Sequence, residues 1–197
     1  PNESMKQRIV HHIEAMNLLA EKGPYIEGVI TKNYSPKDTF NVQQGERCFY
    51  THENALIIDT LRKYINDNVE PELFAYCISP LLIKASIHTN TGGVFKGFYK
   101  DKETGLGSFG GSQVDDVNRI TKPIKLEIPI WSNYKFKSVV HNQDINVLID
   151  ELPDDFDLTY LDPPYNQHPY GSNYHMLNTI IHNRLDDNIS KVAGIPK

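Results

Sequence analysis

The sequence has few of the features that mark a membrane protein or a disulfide-stabilised secreted protein. Cysteine occurs twice among its 197 residues, as Cys48 and Cys77, and the two form neither a disulfide framework nor a metal-ligand pattern. No apolar run approaches the roughly 18 residues of a membrane span, and no signal peptide opens the chain. These absences indicate a cytoplasmic protein with reduced cysteines and no membrane partner.

The chain also lacks the excess of positive charge that is typical of nucleic-acid-binding proteins. Lysine and arginine number 20 against 25 aspartate and glutamate, which gives a formal net charge of −5. A basic surface can still be local, so this balance lowers the expectation of nucleic-acid binding without excluding it. The histidines around residues 168–175 do not have the i, i+4 spacing of a helical metal pair, and we predict no metal site.

The most informative segment is Asp162-Pro163-Pro164-Tyr165, which follows the largely apolar run 156–161. Proline fixes its own φ angle and biases the preceding residue toward extended geometry, so the segment predicts a stiff corner after a strand. The corner offers a carboxylate, main-chain carbonyls and an aromatic ring. That set suits a planar base with an amino group, because the acceptors can take both amine hydrogens while the ring stacks on the base.

The segment Leu161–Asn166 resembles the catalytic motif of the S-adenosylmethionine-dependent amino methyltransferases. It is similar in particular to the adenine-N6-specific DNA methyltransferases of bacterial restriction-modification systems, and the likeness continues through residues 167–180 and upstream at 49–55. The resemblance implies a site-specific enzyme that methylates adenine in double-stranded DNA, alongside a cognate restriction endonuclease. It implies S-adenosyl-L-methionine as cofactor and Asp162, Pro163, Pro164 and Tyr165 as catalytic residues.

The same resemblance implies an α/β fold, with a partial Rossmann-like methyltransferase sheet and a mostly helical target-recognition insertion. We expect residues 1–120 to form the helical and loop-rich recognition region and residues 121–197 the partial α/β catalytic core. Gly105–Gly110 matches a G-x-G-x-x-G pattern, but the charged residues before it do not form a buried strand, so we reject it as the cofactor turn. We therefore expect an internal fragment of a longer enzyme that is inactive by itself.

Hydrophobic periodicity and capping residues predict the local elements. Helices are expected over Met5–Glu21, after a Thr51 cap, and from Pro71 toward His88. A short helix is expected to follow Asp144. Extended segments are expected at Tyr25–Tyr34, Ile124–Ile128, Lys137–Val140 and Leu158–Leu161.

Two further groups of residues are candidates for binding. Gln143 and Asp144 lie where a predicted strand meets a predicted helix, a usual ligand position in open α/β sheets. Together with Asp162 they are the candidate cofactor residues, although Asp144 would equally serve as a helix cap. The second group interleaves lysines and aromatics with glycine, or follows the corner, and is predicted to contact nucleic acid: Lys96, Phe98, Tyr99, Lys100, Tyr174 and His175.

Two other functions remain open from the sequence alone. One is an amino methyltransferase that acts on RNA or on a protein glutamine, although these branches usually begin the motif with Asn where this chain has Asp162. The other is a non-catalytic DNA-binding remnant that keeps the recognition helices and has lost the cofactor turn.

Overall fold

The computed structural model describes residues 1–110, 114–163, 167, 169–185 and 187–196, with no side-chain description at positions 114 and 115. The described part is helical and divides into two compact units, 1–129 with 168–197 and 130–167. The first unit holds α1 (Glu3–Lys22), α2 (Val29–Tyr34), α3 (His52–Asn68), α4 (Phe74–Ile87), α5 (Val114–Thr121), α7 (Tyr170–Asn173) and α8 (His175–His182). The second unit holds α6 (Ile145–Glu151).

Helix α1 confirms the predicted N-terminal helix. Its cap is Asn2, whose side chain accepts a hydrogen bond from the Met5 amide at 2.9 Å. Ile9, Ile13 and Met16, at helical spacing, are fully buried. The helix ends at Gly23, whose φ of +67° is readily adopted only by glycine.

Helix α3 is the centre of the first unit, because it packs against α1, α2, α4 and α8. Thr51 caps it as predicted, accepting a hydrogen bond from the Asn54 amide at 3.1 Å. Ile58, Leu61 and Ile65 follow at helical spacing and are buried. The next predicted helix is also present, as a short 3₁₀ turn at Pro71–Leu73 that leads into α4.

The prediction of an extended segment at Tyr25–Tyr34 was wrong over its second half, which forms α2. The buried carboxylate of Asp59, on α3, holds the first turn of this helix. It accepts hydrogen bonds from the amides of Gly28, Ile30 and Thr31 at 2.7–3.0 Å and from the Thr31 hydroxyl at 2.6 Å. A cap supplied from another helix leaves no local sequence signal, which explains the error.

The predicted Rossmann-like α/β sheet is also wrong, since β pairing among the described residues amounts to two isolated bridges, Lys100 with Gly107 and Ile189 with Pro196. The expected edge strand Ile124–Ile128 instead pairs with side chains. Asn54 accepts a hydrogen bond from the Ile124 amide, and Asn17 both donates to the Leu126 carbonyl and accepts from its amide. These asparagine amides satisfy groups that a neighbouring strand would otherwise satisfy.

The second unit corrects two further strand predictions. Neither Lys137–Val140 nor Leu158–Leu161 forms a strand, and Val140 and Leu158 are 92% and 84% exposed. A strand is stabilised by the strand beside it and by burial of its apolar face. The described residues 130–163 provide neither.

The predicted division into a recognition region (1–120) and a catalytic core (121–197) stays a prediction, because the two compact units are defined by packing and not by function. Within the described residues, no helix is both long enough and apolar enough to cross a membrane.

Candidate nucleic-acid interface and catalytic corner

The predicted catalytic corner lies in the second unit. Asp162 and Pro163 are exposed and belong to no helix or strand, while Pro164 and Tyr165 lie outside the described residues. The Asp162 carboxylate is thus open to a ligand. The catalytic roles of all four residues stay predictions.

The two other candidate cofactor residues flank the start of α6. The Asp144 carboxylate accepts hydrogen bonds from the Asn146 amide at 2.8 Å and from the Asn146 side chain at 2.9 Å, so it caps the helix. Gln143 donates to Glu151 at 2.9 Å across the same helix. The capping role weighed for Asp144 is confirmed, and its contact with a cofactor stays a prediction.

The glycine-rich stretch forms the tip of a short hairpin. The Asp101 amide donates to the Leu106 carbonyl at 2.8 Å, and the Ser108 amide donates to the Tyr99 carbonyl at 3.0 Å. Gly105 adopts a φ of +71° at the turn, and the described flanks contain no buried strand leading into it. Its rejection as a cofactor turn stays a prediction.

The base of the hairpin is organised by Asn90, which is fully buried. Its side chain donates at 2.8 Å to the carbonyls of Cys48 and Ser108 and accepts from the Gly110 amide at 3.3 Å. Its own carbonyl accepts from the Tyr99 amide. Asn90 therefore fixes both arms of the hairpin against the helical core, one through its side chain and the other through its backbone carbonyl.

The candidate hairpin residues combine charge with aromatic surface. The Phe98 ring is half-buried and meets Phe49 edge-to-face with 5.2 Å between centroids. The Lys100 ammonium lies 5.4 Å from the Phe98 centroid, within range of a cation–π contact. Lys96 and Tyr99 are half-buried, whereas Lys100 is exposed. The hairpin thus presents a lysine supported by an anchored ring.

A cavity of about 640 Å³ opens beside the hairpin. Phe98, Lys100 and Gly107 line one side, and Glu46 and Lys191 line the other. The Glu46 carboxylate accepts hydrogen bonds from the amides of residues 37 and 43, at 3.0 and 2.8 Å. Lysines therefore border this cavity on both sides, and its acid is already engaged.

The segment that follows the corner in sequence is tied to the root of this hairpin. The Phe95 amide donates to the Asn173 carbonyl at 2.9 Å, and the Phe95 carbonyl lies 2.8 Å from His175 Nε2. His175 is buried against the rings of Tyr34, Phe49 and Phe95. Burial lowers the pKa of His175, with the Arg47 charge adding to the decrease, so Nε2 of a neutral ring donates this bond.

The structure thus gives different surroundings to the two candidate residues that follow the corner, Tyr174 and His175. His175 is buried and holds the root of the hairpin through its hydrogen bond to the Phe95 carbonyl. Its contact with nucleic acid stays a prediction and would require the ring to become accessible. Tyr174 is partly exposed, and its ring lies 5.6 Å from that of exposed Tyr170 at an interplanar angle of 30°. This pair offers aromatic surface for stacking.

The sequence did not reveal the two asparagines that assemble this region. Asn90 had no predicted role, and Asn173 lay within the segment 167–180, for which only a general likeness to the family was noted. The Asn90 side chain bonds to residues 18 and 42 positions away, and the Asn173 carbonyl bonds to a residue 78 positions away, so no local pattern signals them. Among the described residues, no group of three or more His, Cys, Asp or Glu side chains is placed to hold a metal ion.

The comparisons with known proteins decide the family. Residues 30–193 match the family model of the D12 class of N6 adenine-specific DNA methyltransferases. The chain belongs to this family. The matched range contains both the hairpin and the Asp162 corner.

Several curated type II methyltransferases are similar to this chain. M.FokI of Planomicrobium okeanokoites is 31% identical over 78% of the chain, which corresponds to 21% of the relative. M.CviAII of Paramecium bursaria Chlorella virus 1 is 28% identical over 94% of the chain and 49% of the relative. M.NlaIII of Neisseria lactamica is 30% identical over 81% of the chain and 43% of the relative.

The chain therefore spans half or less of the length of these relatives. No solved structure matches it significantly.

Proposed function

We propose that the protein carrying this chain transfers a methyl group from S-adenosyl-L-methionine to N6 of adenine in double-stranded DNA. The observation that carries the proposal is the exposed Asp162-Pro163 corner within a chain of the N6 adenine-specific D12 family. Its relatives are named as type II methyltransferases and modification methylases, which supports a role in restriction-modification beside a cognate endonuclease in the cytoplasm.

The reaction needs orientation of a weak nucleophile. The lone pair of the adenine amine is delocalised into the ring, and acceptance of both amine hydrogens by Asp162 and the Pro163 carbonyl localises it on nitrogen. Attack of the nitrogen on the methyl carbon would break the carbon–sulfur bond toward sulfur, and the proton that the amine then loses would pass to solvent. Positioning in this way can supply several kcal/mol of the barrier reduction without a covalent enzyme intermediate.

The target base must leave the helix before it can react. Extrusion of a base costs a few kcal/mol, which stacking against an aromatic ring helps to offset. We assign this stacking to Tyr165, with Pro164 stiffening the corner between the acceptors and the ring.

Gln143, Asp144 and Asp162 are our candidates for contact with the cofactor. An amide and two carboxylates fit its hydroxyl, ammonium and adenine amine donors, and all three residues are exposed. The bound cofactor supplies the electrophilic methyl group. Asp144 caps the helix through one carboxylate oxygen, which leaves its other oxygen for a ligand.

The hairpin and the α7 segment are our candidates for contact with the duplex. Lys96 and Lys100 would contact phosphates, Phe98 and Tyr99 would face the groove, and Tyr174 would stack or pack against the sugar. Support comes from the Asn90 and Phe95 hydrogen bonds, which hold the hairpin and the α7 segment against one core.

The test is methyl transfer by the intact protein, with labelled S-adenosyl-L-methionine and duplex DNA, followed by nucleoside analysis. We expect label in N6-methyladenine, and a large loss of that label with Asp162→Ala. Label in cytosine, RNA or protein would contradict the proposed substrate. DNA binding without any transfer would instead support the non-catalytic remnant.

A further inference from the structure

A second cavity, of about 370 Å³, lies at the C-terminal end of α4. Four cationic residues line it, together with a single acid among the described lining residues: Lys84, Arg119, Lys122, Lys125 and Glu127. The chain as a whole carries a net charge of −5. This concentration of positive charge is therefore a local feature that overall composition does not explain.

The backbone that carries Lys122 and Lys125 is held in place by one asparagine on each of two helices, the buried Asn54 on α3 and the half-buried Asn17 on α1. Asn54 donates to the carbonyls of Ile120 and Lys122, each at 3.0 Å, and accepts from the Ile124 amide. Asn17 makes a reciprocal pair of hydrogen bonds with Leu126.

This anchoring determines which side chains are presented. Ile124 and Leu126 are buried, while Lys122, Lys125 and Glu127 are exposed. Because side chains alternate along an extended segment, fixing the apolar positions inward directs Lys125 outward. A fixed backbone lowers the ordering cost of binding an anion.

The two remaining cationic side chains, Lys84 and Arg119, are positioned by contacts at the C-terminal end of α4. The Arg119 guanidinium donates to the carbonyls of Ile87 and Thr89, and His88 Nδ1 lies 2.6 Å from the Arg119 carbonyl. Lys84 forms an ion pair with Glu127 at 2.5 Å. Burial lowers the pKa of His88, and the charges of Lys84, Arg119 and Lys122 add to the decrease, so His88 is a neutral part of the wall.

The cavity adjoins the root of the hairpin, because Thr89 directly precedes Asn90. We propose that the Lys122–Lys125 cavity binds a backbone phosphate of the DNA duplex, outside the groove contacts of the hairpin. The inference rests on the proposed function, and it adds a sequence-independent anchor built from residues 84 and 119–127. Lysine ammonium groups are suitable partners for a phosphodiester because they act as point charges without a required orientation.

The test measures DNA affinity of the intact protein by fluorescence anisotropy between 50 and 200 mM salt. Each phosphate contact contributes about 0.9 to the slope of log affinity against log salt, so losing this one contact in Lys122→Gln/Lys125→Gln should reduce that slope by about 0.9. Affinity for target and non-target duplexes should fall by the same factor. Lys122→Arg/Lys125→Arg should keep the wild-type slope.

The matched control is Lys32→Gln/Lys63→Gln, which removes the same charge from exposed lysines that do not line this cavity. A second probe is Glu127→Gln, which frees Lys84 and should tighten binding at low salt. Thermal unfolding of each variant separates a binding effect from a loss of fold.

The outcomes distinguish this inference from the proposed function. The wild-type protein could bind DNA and transfer the methyl group while the cavity variant and the control show equal salt slopes of affinity. That result would overturn the phosphate site alone. A loss confined to the target sequence would also overturn it, since a phosphate contact carries no sequence information. If the wild-type protein bound no duplex DNA, both the proposed function and this inference would fail.

Discussion

Helices α3 and α6 begin in similar ways but differ in what they bury. Thr51 caps α3 and Asp144 caps α6, and both helices carry apolar residues at helical spacing. Helix α3 buries nine residues between Asn54 and Ile65, including Ile58 and Leu61, whereas α6 buries none. The apolar spacing and the capping residues therefore specify that a helix forms. The elements packed around the helix decide how much stability it gains.

The two units also differ in how they use a buried or exposed carboxylate. Asp59 is buried and accepts four hydrogen bonds from residues about 30 positions away. Asp144 is exposed, and its bonds go to the adjacent turn. The long-range cap joins two helices, while the local cap stabilises one.

The largest expected effect is on catalysis in the second unit. Asp162→Ala in the intact protein should lower methyl transfer by on the order of 10²–10³-fold or more, the usual cost of removing one group that stabilises a transition state. Thermal unfolding should not change, because the side chain is exposed. The control is Asp157→Asn, at another exposed acid of the same unit. Near-normal turnover of Asp162→Ala would remove the catalytic assignment.

The next largest effect contrasts the two carboxylate caps. Asp59→Ala leaves three amides and a hydroxyl without their acceptor, so it should lower the free energy of unfolding by about 2–4 kcal/mol. Asp144→Ala should cost about 1 kcal/mol or less at its exposed cap. Urea unfolding of the 197-residue chain measures both. Equal losses would mean that the two units are more alike in solution than in the structure.

The Asp59 cap also predicts a pH dependence. Burial raises the pKa of Asp59, and hydrogen bonds from Thr31, Ile30 and Gly28 offset only part of the increase. A carboxyl group whose pKa is higher in the folded state stabilises the fold most below its unfolded pKa and loses that contribution as pH rises through the folded value. The difference in unfolding free energy between wild type and Asp59→Ala should therefore shrink from pH 4 to pH 7. A growing difference would contradict the raised pKa.

Local patterns in the sequence predicted three of the helices of the first unit and the Asp144-capped helix of the second. Each has its cap and its apolar spacing within one stretch of chain, as Thr51 and Ile58 show for α3. The family resemblance of the Asp162 corner is likewise local, and the family assignment confirms it.

The errors lie where structure depends on distant partners. Helix α2 needs Asp59, and the extended segment at Ile124 needs Asn54 rather than a neighbouring strand. The alternating pattern of that segment correctly indicated one buried face and did not specify what would pair with its backbone. The hairpin residues were predicted from composition, but their placement depends on Asn90, whose hydrogen bonds no sequence pattern reveals.

A smaller effect is expected at Tyr165. Tyr165→Ala should weaken transition-state binding by about 1–3 kcal/mol, the usual value of base–aromatic stacking, and Tyr165→Phe should be mild because the ring remains. The ratio of kcat/KM values for the intact protein gives both numbers. Equal damage from the two substitutions would indicate a hydrogen bond from the hydroxyl instead of stacking.

The smallest expected effect is at Val140, and its comparison with Ile58 tests the contrast in burial directly. Ile58→Ala, in the core of the first unit, should cost about 2–5 kcal/mol because it removes packed atoms and leaves a cavity. Val140→Ala should change the free energy of unfolding by less than about 0.5 kcal/mol, since an exposed side chain loses few contacts when shortened. The 92% exposure of Val140 is the basis of this expectation, although the sequence predicted a strand at this position. Urea unfolding of both variants measures the difference, and a cost of 1 kcal/mol or more at Val140 would show that this side chain is buried in solution.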